Sequence, residues 1–423
     1  MLQLNYIREN KEEAIERLAI KNFDAKVIVE KILDLDNDRR RTQNELDSLL
    51  NEANILAKQV GELFSKGKKA EAEELKTKSV SLKEKSSKLA ELLKSIEEQQ
   101  FGLLVQVPNT PSLSVPKGKM PADNEKVYEG GGVPKLHEGA KPHWELAEQY
   151  DLIDFELGVK IAGAGFPVYK GKGARLQRAL INFFLDRATA AGYLEIQPPI
   201  LVNEASGFAT GQLPDKEGQM YHSTIDNLYL IPTAEVPITN IYRDVILKSE
   251  QLPIKMCGYT PCFRREAGSY GKDVRGLNRL HQFDKVEVVQ IVHPDKSYHA
   301  LEEMREYVAV LLRELELPFR ILKLCGGDMS FASALTYDFE TFSAAQEKWL
   351  EVSSVSNFEA FQSNRLKLRF KGGESKTQLA HTLNGSALAL PRIVASLIEN
   401  NQCPEGIKIP KALIPYTGFS LIN

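Results

Sequence analysis

The sequence predicts an α/β protein of the α+β kind in two unlike parts, a long antiparallel coiled-coil hairpin and a larger domain of alternating helices and strands. Three observations carry this. Apolar residues recur at steps of three and four on both sides of a short glycine-bearing turn at Ser65-Lys66-Gly67-Lys68. A stretch rich in proline and glycine then interrupts all periodicity between residues 107 and 134. Beyond it, amphipathic helical runs alternate with strand-like runs, among them a strand–loop–strand at residues 263–287. A turn between two heptad segments is the signature of two helices lying side by side, and switches between periods of 3.6 and 2 mark a mixed domain.

In the first part, residues 1–26 read as a short helical lead-in with Ile7, Leu18 and Ile20 as apolar contacts. Ile28, Ile32, Leu35, Leu46, Leu49, Ala53, Leu56, Val60 and Leu63 then form a seam, weakened where Arg39 and Thr42 occupy the same register. After the turn, Leu75, Leu82, Leu89 and Ile96 recur every seven residues, with Leu93 on the same stripe. At ~1.5 Å per residue the first helix should reach on the order of 55 Å. The tip and second helix carry Lys66, Lys68, Lys69, Lys76, Lys78, Lys83, Lys85, Lys88 and Lys94. Such a surface either solubilises a coiled coil or tracks the phosphates of an RNA. The boundaries expected are an N-terminal domain at 1–107 with its arm over about 27–98, a linker at 108–134 and a second domain at 135–423.

Composition excludes several classes. With 423 residues, 43% hydrophobic and 26% charged, the chain is an ordinary globular one with room for two or three domains. A net charge of -3 supplies no global basic field, so any nucleic-acid partner must meet a local patch. Cys257, Cys262, Cys325 and Cys403 form no CxxC pair, and the seven histidines lack ligand spacing, so neither zinc nor a disulfide framework is expected. The opening residues are charged throughout without a signal-peptide core, and no apolar run approaches the ~20 residues of a membrane span. The expectation is a cytoplasmic protein without membrane contact.

In the second part, residues 173–192 read as an amphipathic helix closed by Gly192, followed by a strand over 193–202 that contains Pro198 and Pro199. Proline has no ladder donor, so this strand belongs at a sheet edge or against a second copy of the chain. A further helix is expected over 300–315. Four stretches carry candidate chemistry. Residues 263–287 bear Arg264, Arg265, Arg275 and Arg279 among Glu266 and Glu287, with Gly268, Gly271 and Gly276 between the strands. Alternation puts Phe283, Lys285 and Glu287 on one strand face. Arginine holds phosphate oxygens bidentately and stacks on rings, so the cluster suits a polyphosphate with Phe283 beneath a base. Surface ion pairs are the alternative.

Thr233, Ala234 and Glu235 lie between Pro232 and Pro237. If extended, the hydroxyl and carboxylate point the same way, which suits a small ammonium-bearing ligand. Glu351, Val352, Ser353 and Ser354 offer hard oxygens suited to Mg²⁺, or merely cap a turn. Finally, Pro391 starts a helix that sets Arg392 at its positive end, approached by Asn384, Gly385 and Ser386.

Together, the proline-bearing helix–strand, the FRRE strand–loop–strand ending in glutamate, and the late helix with its arginine resemble the three signature motifs of class II aminoacyl-tRNA synthetases. The TAE triplet, the EVSS run, the NGS sequence and the long hairpin narrow the resemblance to the bacterial type of the seryl-tRNA synthetase family, over essentially the whole chain. It implies a mostly antiparallel sheet flanked by helices, and a ligase that forms seryl-adenylate from L-serine and ATP before transferring it to the 3′ end of tRNA(Ser). It also implies a homodimer, with tRNA(Sec) as a second candidate acceptor. By resemblance Arg264 binds the α-phosphate, and Arg265 belongs to the same ATP site. Glu266 lies at the adenine, Phe283 stacks on it, and Arg279 and Arg392 hold the outer phosphates. Glu351 and Ser354, within the ATP-binding run that includes Val352 and Ser353, hold Mg²⁺. Thr233, Ala234, Glu235, Glu287, Asn384 and Ser386 surround serine. Ala387 and Pro391 stand where the family often has glycine, and Cys257 and Cys262 have no assigned role. An amino acid ligase that loads a carrier protein is the alternative, against which the full-length arm speaks.

Overall fold

The computed structural model describes residues 1–215, 217–266, 275–373 and 376–423. It divides into two compact units, one of residues 1–19 and 23–108 and one of residues 20–22 and 109–423. Gly268 and Gly271 of the expected loop lie outside the described residues.

The first unit is built on two long helices, α1 (Lys26–Ser65) and α2 (Lys69–Leu104), joined at the turn the sequence marks. Gly67 takes the left-handed conformation there, φ 75°, which only glycine adopts freely. The seam follows the heptads through its middle, while Ile28, Leu35, Leu75 and Leu89 are only half-buried and Val29 takes the buried place at the start of α1. Val29, Ile32, Leu46, Ala53 and Leu56 of α1 are buried, as are Ala72, Leu82, Leu93 and Ile96 of α2. Where the seam weakens, polar groups are buried with partners. Asp36, 1% exposed, accepts from Arg8 Nε (2.9 Å) and Arg39 Nη2 (3.2 Å). A buried carboxylate paired with two guanidinium groups avoids the desolvation penalty of a lone charge. Gln100 donates across the pair to the Ile32 carbonyl at 3.3 Å.

The second unit is organised on an eight-stranded sheet. Its strands in chain order are β1 (Glu125–Gly130), β2 (Leu194–Glu195), β3 (Ile254–Phe263), β4 (Gln282–Val292), β5 (Phe319–Lys323), β6 (Leu335–Ser343), β7 (Lys348–Glu359) and β8 (His381–Ala389). Their spatial order is β1-β5-β6-β7-β8-β4-β3-β2. Every pairing is antiparallel except β2 with β3, which is parallel. The strand expected over 193–202 is broken in two. Leu194–Glu195 holds the sheet edge, while Leu201–Asn203 pairs in a separate three-stranded sheet, because Pro198 and Pro199 cannot donate to a ladder.

Three helices complete the core: α3 (Gly171–Ala190), α4 (Ser297–Glu314) and α5 (Leu390–Asn400). Phe183 and Phe184 of α3, Leu301 and Met304 of α4 and Ile393 and Val394 of α5 bury against Val286 and Val288 of β4. The intervening residues Val289 and Ile291 join a second cluster with Ala234, Ile238 and Leu366. Successive strand residues face opposite sides. Lys285 and Glu287 therefore project away from the face that Val286 and Val288 give to the helices, and this polar pair begins the candidate site. Helix α5 starts as expected with Pro391 in its first turn, where the missing N–H costs nothing.

Candidate active site

The arginines of residues 263–287 are organised by the returning limb of the loop, residues 278–281. Arg264 donates its backbone N–H to the His281 carbonyl (2.9 Å), and its guanidinium lies over the Phe283 ring, 5.2 Å from the centroid. Arg392 reaches the same limb from α5, donating Nε to the Asn278 carbonyl (3.0 Å) and Nη1 to the Glu351 carbonyl (2.7 Å). Arg279, next to Asn278, pairs with Glu266 at 3.0 Å. Residues 278–281 thus take the Arg264 backbone and the Arg392 guanidinium and carry Arg279, while the Arg264 guanidinium sits over Phe283 just beyond them. Arg264 and Arg279 remain exposed and can engage an anion.

Two other arginines point elsewhere. Arg265 donates its N–H to the Gln219 carbonyl (2.8 Å), with its guanidinium toward Gly218 and Tyr221. Arg275 stacks on Trp144, 4.8 Å from the ring. The four arginines therefore do not act as one cluster.

The acidic pocket is deeper. Glu287, 1% exposed, pairs with Lys285 Nζ at 2.7 Å. It accepts from Asn384 Nδ2 (3.1 Å) and Ser386 Oγ (3.5 Å), both on the neighbouring β8. Glu235, 5% exposed, accepts from Gln362 Nε2 at 2.6 Å. Burial first, and then the Glu287 carboxylate, push the Glu235 carboxyl up to about 7, against the opposing pull of Gln362, Lys285 and Arg264. Two carboxylates face a single buried lysine, so the pocket is electrostatically short of one cation. Thr233 and Ala234 line the approach and are buried.

The alternation assumed for Thr233 and Glu235 does not hold. Glu235 opens a short helix, Glu235–Asn240, and its N–H donates back to Thr233 Oγ1 at 3.2 Å. The two side chains are brought together by a turn, because a threonine hydroxyl readily bonds the backbone two residues on.

Glu351 to Ser354 lie within β7, where a register slip leaves Val352 unopposed and sets Glu351 and Ser354 on one face, opposite Glu340 and Asp338 of β6. Glu351 is exposed, and its carboxylate stands 3.7 Å from Arg392. Val352 belongs to the core and offers only its backbone, and Ser353 donates to the Ser386 carbonyl (2.6 Å). Ser354 pairs in register with Asp338 of β6, and Glu351 with Glu340. Asp338 escaped the sequence reading. Burial, reinforced by Glu351, raises its carboxyl well above the usual range, and its Oδ1 is buried with no hydrogen-bond partner among the described residues. The unpartnered Asp338 oxygen opposite Ser354 is a hard donor of the kind Mg²⁺ takes, although among the described residues no group of three ligating side chains is gathered there. Lys285 and Gln362 were also missed as site residues. Lys285 was visible from strand alternation, whereas Gln362 has no local signal. Cys257 and Cys262 are buried with their thiols pushed up by burial, Cys257 to about 12. They are packing residues rather than nucleophiles.

A mostly antiparallel eight-stranded sheet flanked by helices, with an arginine-bearing strand–loop–strand and a late arginine on a helix, is the architecture of the class II aminoacyl-tRNA synthetase core, and residues 220–401 match the family model of that core domain (G, H, P, S and T). Residues 1–111 match the seryl-tRNA synthetase N-terminal domain. The serine–tRNA ligase of Salinibacter ruber is 51% identical over 425 residues, covering 100% of this chain and 99% of the relative. That of Geobacter sulfurreducens is 45% identical, covering 99% of each. Among solved structures, seryl-tRNA synthetase from Pyrococcus horikoshii complexed with ATP superposes with a TM-score of 0.93 at 32% identity, over 100% of this chain and 99% of that one. The cytoplasmic serine–tRNA ligase from Naegleria fowleri in complex with AMP gives 0.89 at 26% identity, with the same coverage. The chain belongs to the seryl-tRNA synthetase family.

Proposed function

We propose that this serine–tRNA ligase activates serine in the pocket of Glu235 and Glu287 and binds ATP beside it. The observation that carries the reading is the cation-deficient pocket lying within electrostatic reach of Arg264. Serine brings one ammonium and one small hydroxyl. The ammonium supplies the charge that Glu235 lacks, and the hydroxyl finds acceptors and donors among Thr233, Glu287, Asn384 and Ser386. A polar pocket rejects alanine because its buried groups would be left unpaired.

The serine carboxylate then attacks the α-phosphorus of ATP in line, with pyrophosphate leaving. Arg264, stacked on Phe283 on one side and open to solvent on the other, neutralises charge building on the α-phosphate. Phe283 and Glu266 receive the adenine, and Arg279 and Arg392 hold the outer phosphates. In the second step the terminal ribose hydroxyl of tRNA(Ser) attacks the activated carbonyl, and AMP leaves. No covalent protein intermediate is needed, so rate comes from positioning and from fixed charge. Glu351 and Ser354, with Asp338 behind them, are the residues suited to Mg²⁺. That ion would offset phosphate charge, with water and phosphate oxygens completing its shell. The lysine-rich arm is assigned to tRNA phosphates.

The exposed edge strand β2 fits a homodimer. Leu194 is 62% exposed beside the proline-broken strand, whose Leu201 is also open. Sedimentation at micromolar concentration checks this, with a species of one chain's mass counting against it. No helix among the described residues is long and apolar enough to cross a membrane, and a cytoplasmic location is proposed, to be checked by fractionation. The catalytic assignment is tested by Arg264→Ala, which should abolish serine-dependent ATP–pyrophosphate exchange in a folded protein. Exchange at the wild-type rate would remove it.

A further inference from the structure

The returning limb that gathers the arginines is held by a fully buried ionisable network outside the substrate site. His143 and Glu399 are both 0% exposed, and Glu399 Oε1 meets His143 Nδ1 at 2.6 Å and accepts the His143 backbone N–H at 2.8 Å. The other ring nitrogen, Nε2, accepts the Leu277 backbone N–H at 2.8 Å. That contact fixes the tautomer: Nε2 carries the lone pair, so Nδ1 carries the proton and donates to Glu399. Gly276, at φ 67°, packs so closely that a Cβ there would lie 2.2 Å from Nε2. A second route leaves the same carboxylate. Gln346 Nε2 donates to Glu399 Oε1 (2.8 Å), and Gln346 Oε1 accepts from Asn278 Nδ2 (3.0 Å). Ser343 Oγ donates to Glu399 Oε2.

Glu399 and Arg392 lie on the same helix, α5, and both reach residues 277–278. The Glu399 carboxylate acts through His143 and Gln346, and Arg392 acts directly on the Asn278 carbonyl. Ser343 ends β6 and Gln346 precedes β7, the strand that bears Glu351. One carboxylate therefore ties together the three segments that carry Arg279, Arg392 and Glu351. A buried charge is costly, and a well-packed apolar group often does as well for stability. What the network provides is a fixed backbone path for residues 276–279.

We infer that His143 and Glu399 are positioning residues for the ATP side of the site, acting through the Leu277 N–H and the Asn278 carbonyl on Arg279 and Arg392. The serine pocket shares none of these bonds. The inference rests on the assignment of Arg279 and Arg392 to ATP. Steady-state exchange kinetics of the full-length protein test both.

His143→Ala should raise the KM for ATP on the order of tenfold or more, within the ~100-fold that an ångström of misplacement can cost, with the KM for serine unchanged. Glu399→Gln should stay near wild type. Its Oε1 still accepts from His143 and Gln346, and the Ser343 hydroxyl can turn to accept from the new amide. Should His143→Ala fail to fold, Gln346→Leu cuts the second route alone and should raise the KM for ATP selectively. Arg279→Ala and Arg392→Ala are the controls. If neither raises the KM for ATP, the ATP assignment itself falls. If they do, while the His143 or Gln346 variant moves both Michaelis constants together or neither, the positioning role is overturned.

Discussion

Glu235 ties pH, serine binding and stability into one measurable relation. Its carboxyl is displaced from 4.5 to about 7, which corresponds to roughly 3 kcal/mol against ionisation in the unliganded pocket. Burial is the main cause and the Glu287 carboxylate the second, while Lys285, Arg264 and Gln362 pull the other way. On the proposed assignment, an ammonium arriving beside Glu235 favours the ionised form, so below about pH 7 serine binding should expel one proton. The ionised fraction falls about tenfold between pH 8 and pH 6, so the KM for serine should rise about tenfold over that interval at saturating ATP.

Stability runs the other way. A carboxyl whose folded value lies above its unfolded one stabilises the fold fully below the unfolded value, and that contribution disappears as pH rises through about 7. Glu235→Gln should therefore raise the melting temperature of the unliganded protein at pH 8 and leave it nearly unchanged at pH 5. The same substitution should flatten the pH dependence of the serine KM. It should also raise that KM at pH 8 by on the order of tenfold to a hundredfold, the equivalent of about 1.5–3 kcal/mol for one charged hydrogen bond. A wild-type serine KM that is flat from pH 6 to pH 8, or a variant with the wild-type slope, would refute the reasoning.

Deleting residues 30–98 should spare adenylate formation and remove charging of tRNA(Ser), measured by exchange and aminoacylation on the same preparation. Loss of both together would contradict the division of labour. Glu351→Ala should raise the Mg²⁺ concentration needed for half-maximal exchange without changing the KM for serine, and an unchanged Mg²⁺ titration counts against the site. Asp36→Ala removes the acceptor of Arg8 and Arg39 from the seam and should weaken the first unit by about 1.5–3 kcal/mol. Amide hydrogen exchange along α1 should then quicken around residue 36, and undiminished protection would show the pairs to be incidental.

What could be read from the sequence follows from the range over which each interaction acts. The arm was legible because a heptad is local: Leu82, Leu93 and Ile96 are buried where their spacing puts them. Helix α5 was legible from Pro391, whose chemistry allows few places other than a first turn. The arginines were legible as residue types, yet their partition was not. Arg275 turns to Trp144 because of a ring more than a hundred residues away, which no local pattern reports. The same holds for Glu235. Its depth depends on Gln362, 127 residues later, and the assumed alternation failed because a helix begins at that position. Asp338 faces Ser354 only through the β6–β7 register. The His143–Glu399 pair spans 256 residues, and two ordinary polar side chains so far apart announce nothing.

In the proposed reading, Arg264, Arg279 and Arg392 hold ATP beside a pocket shaped for serine. Amino-acid-dependent ATP–pyrophosphate exchange, run with each of the twenty amino acids, tests it most directly. Strong exchange is expected with serine and only background with alanine and threonine. Exchange that is independent of serine, or driven best by another amino acid, would contradict it.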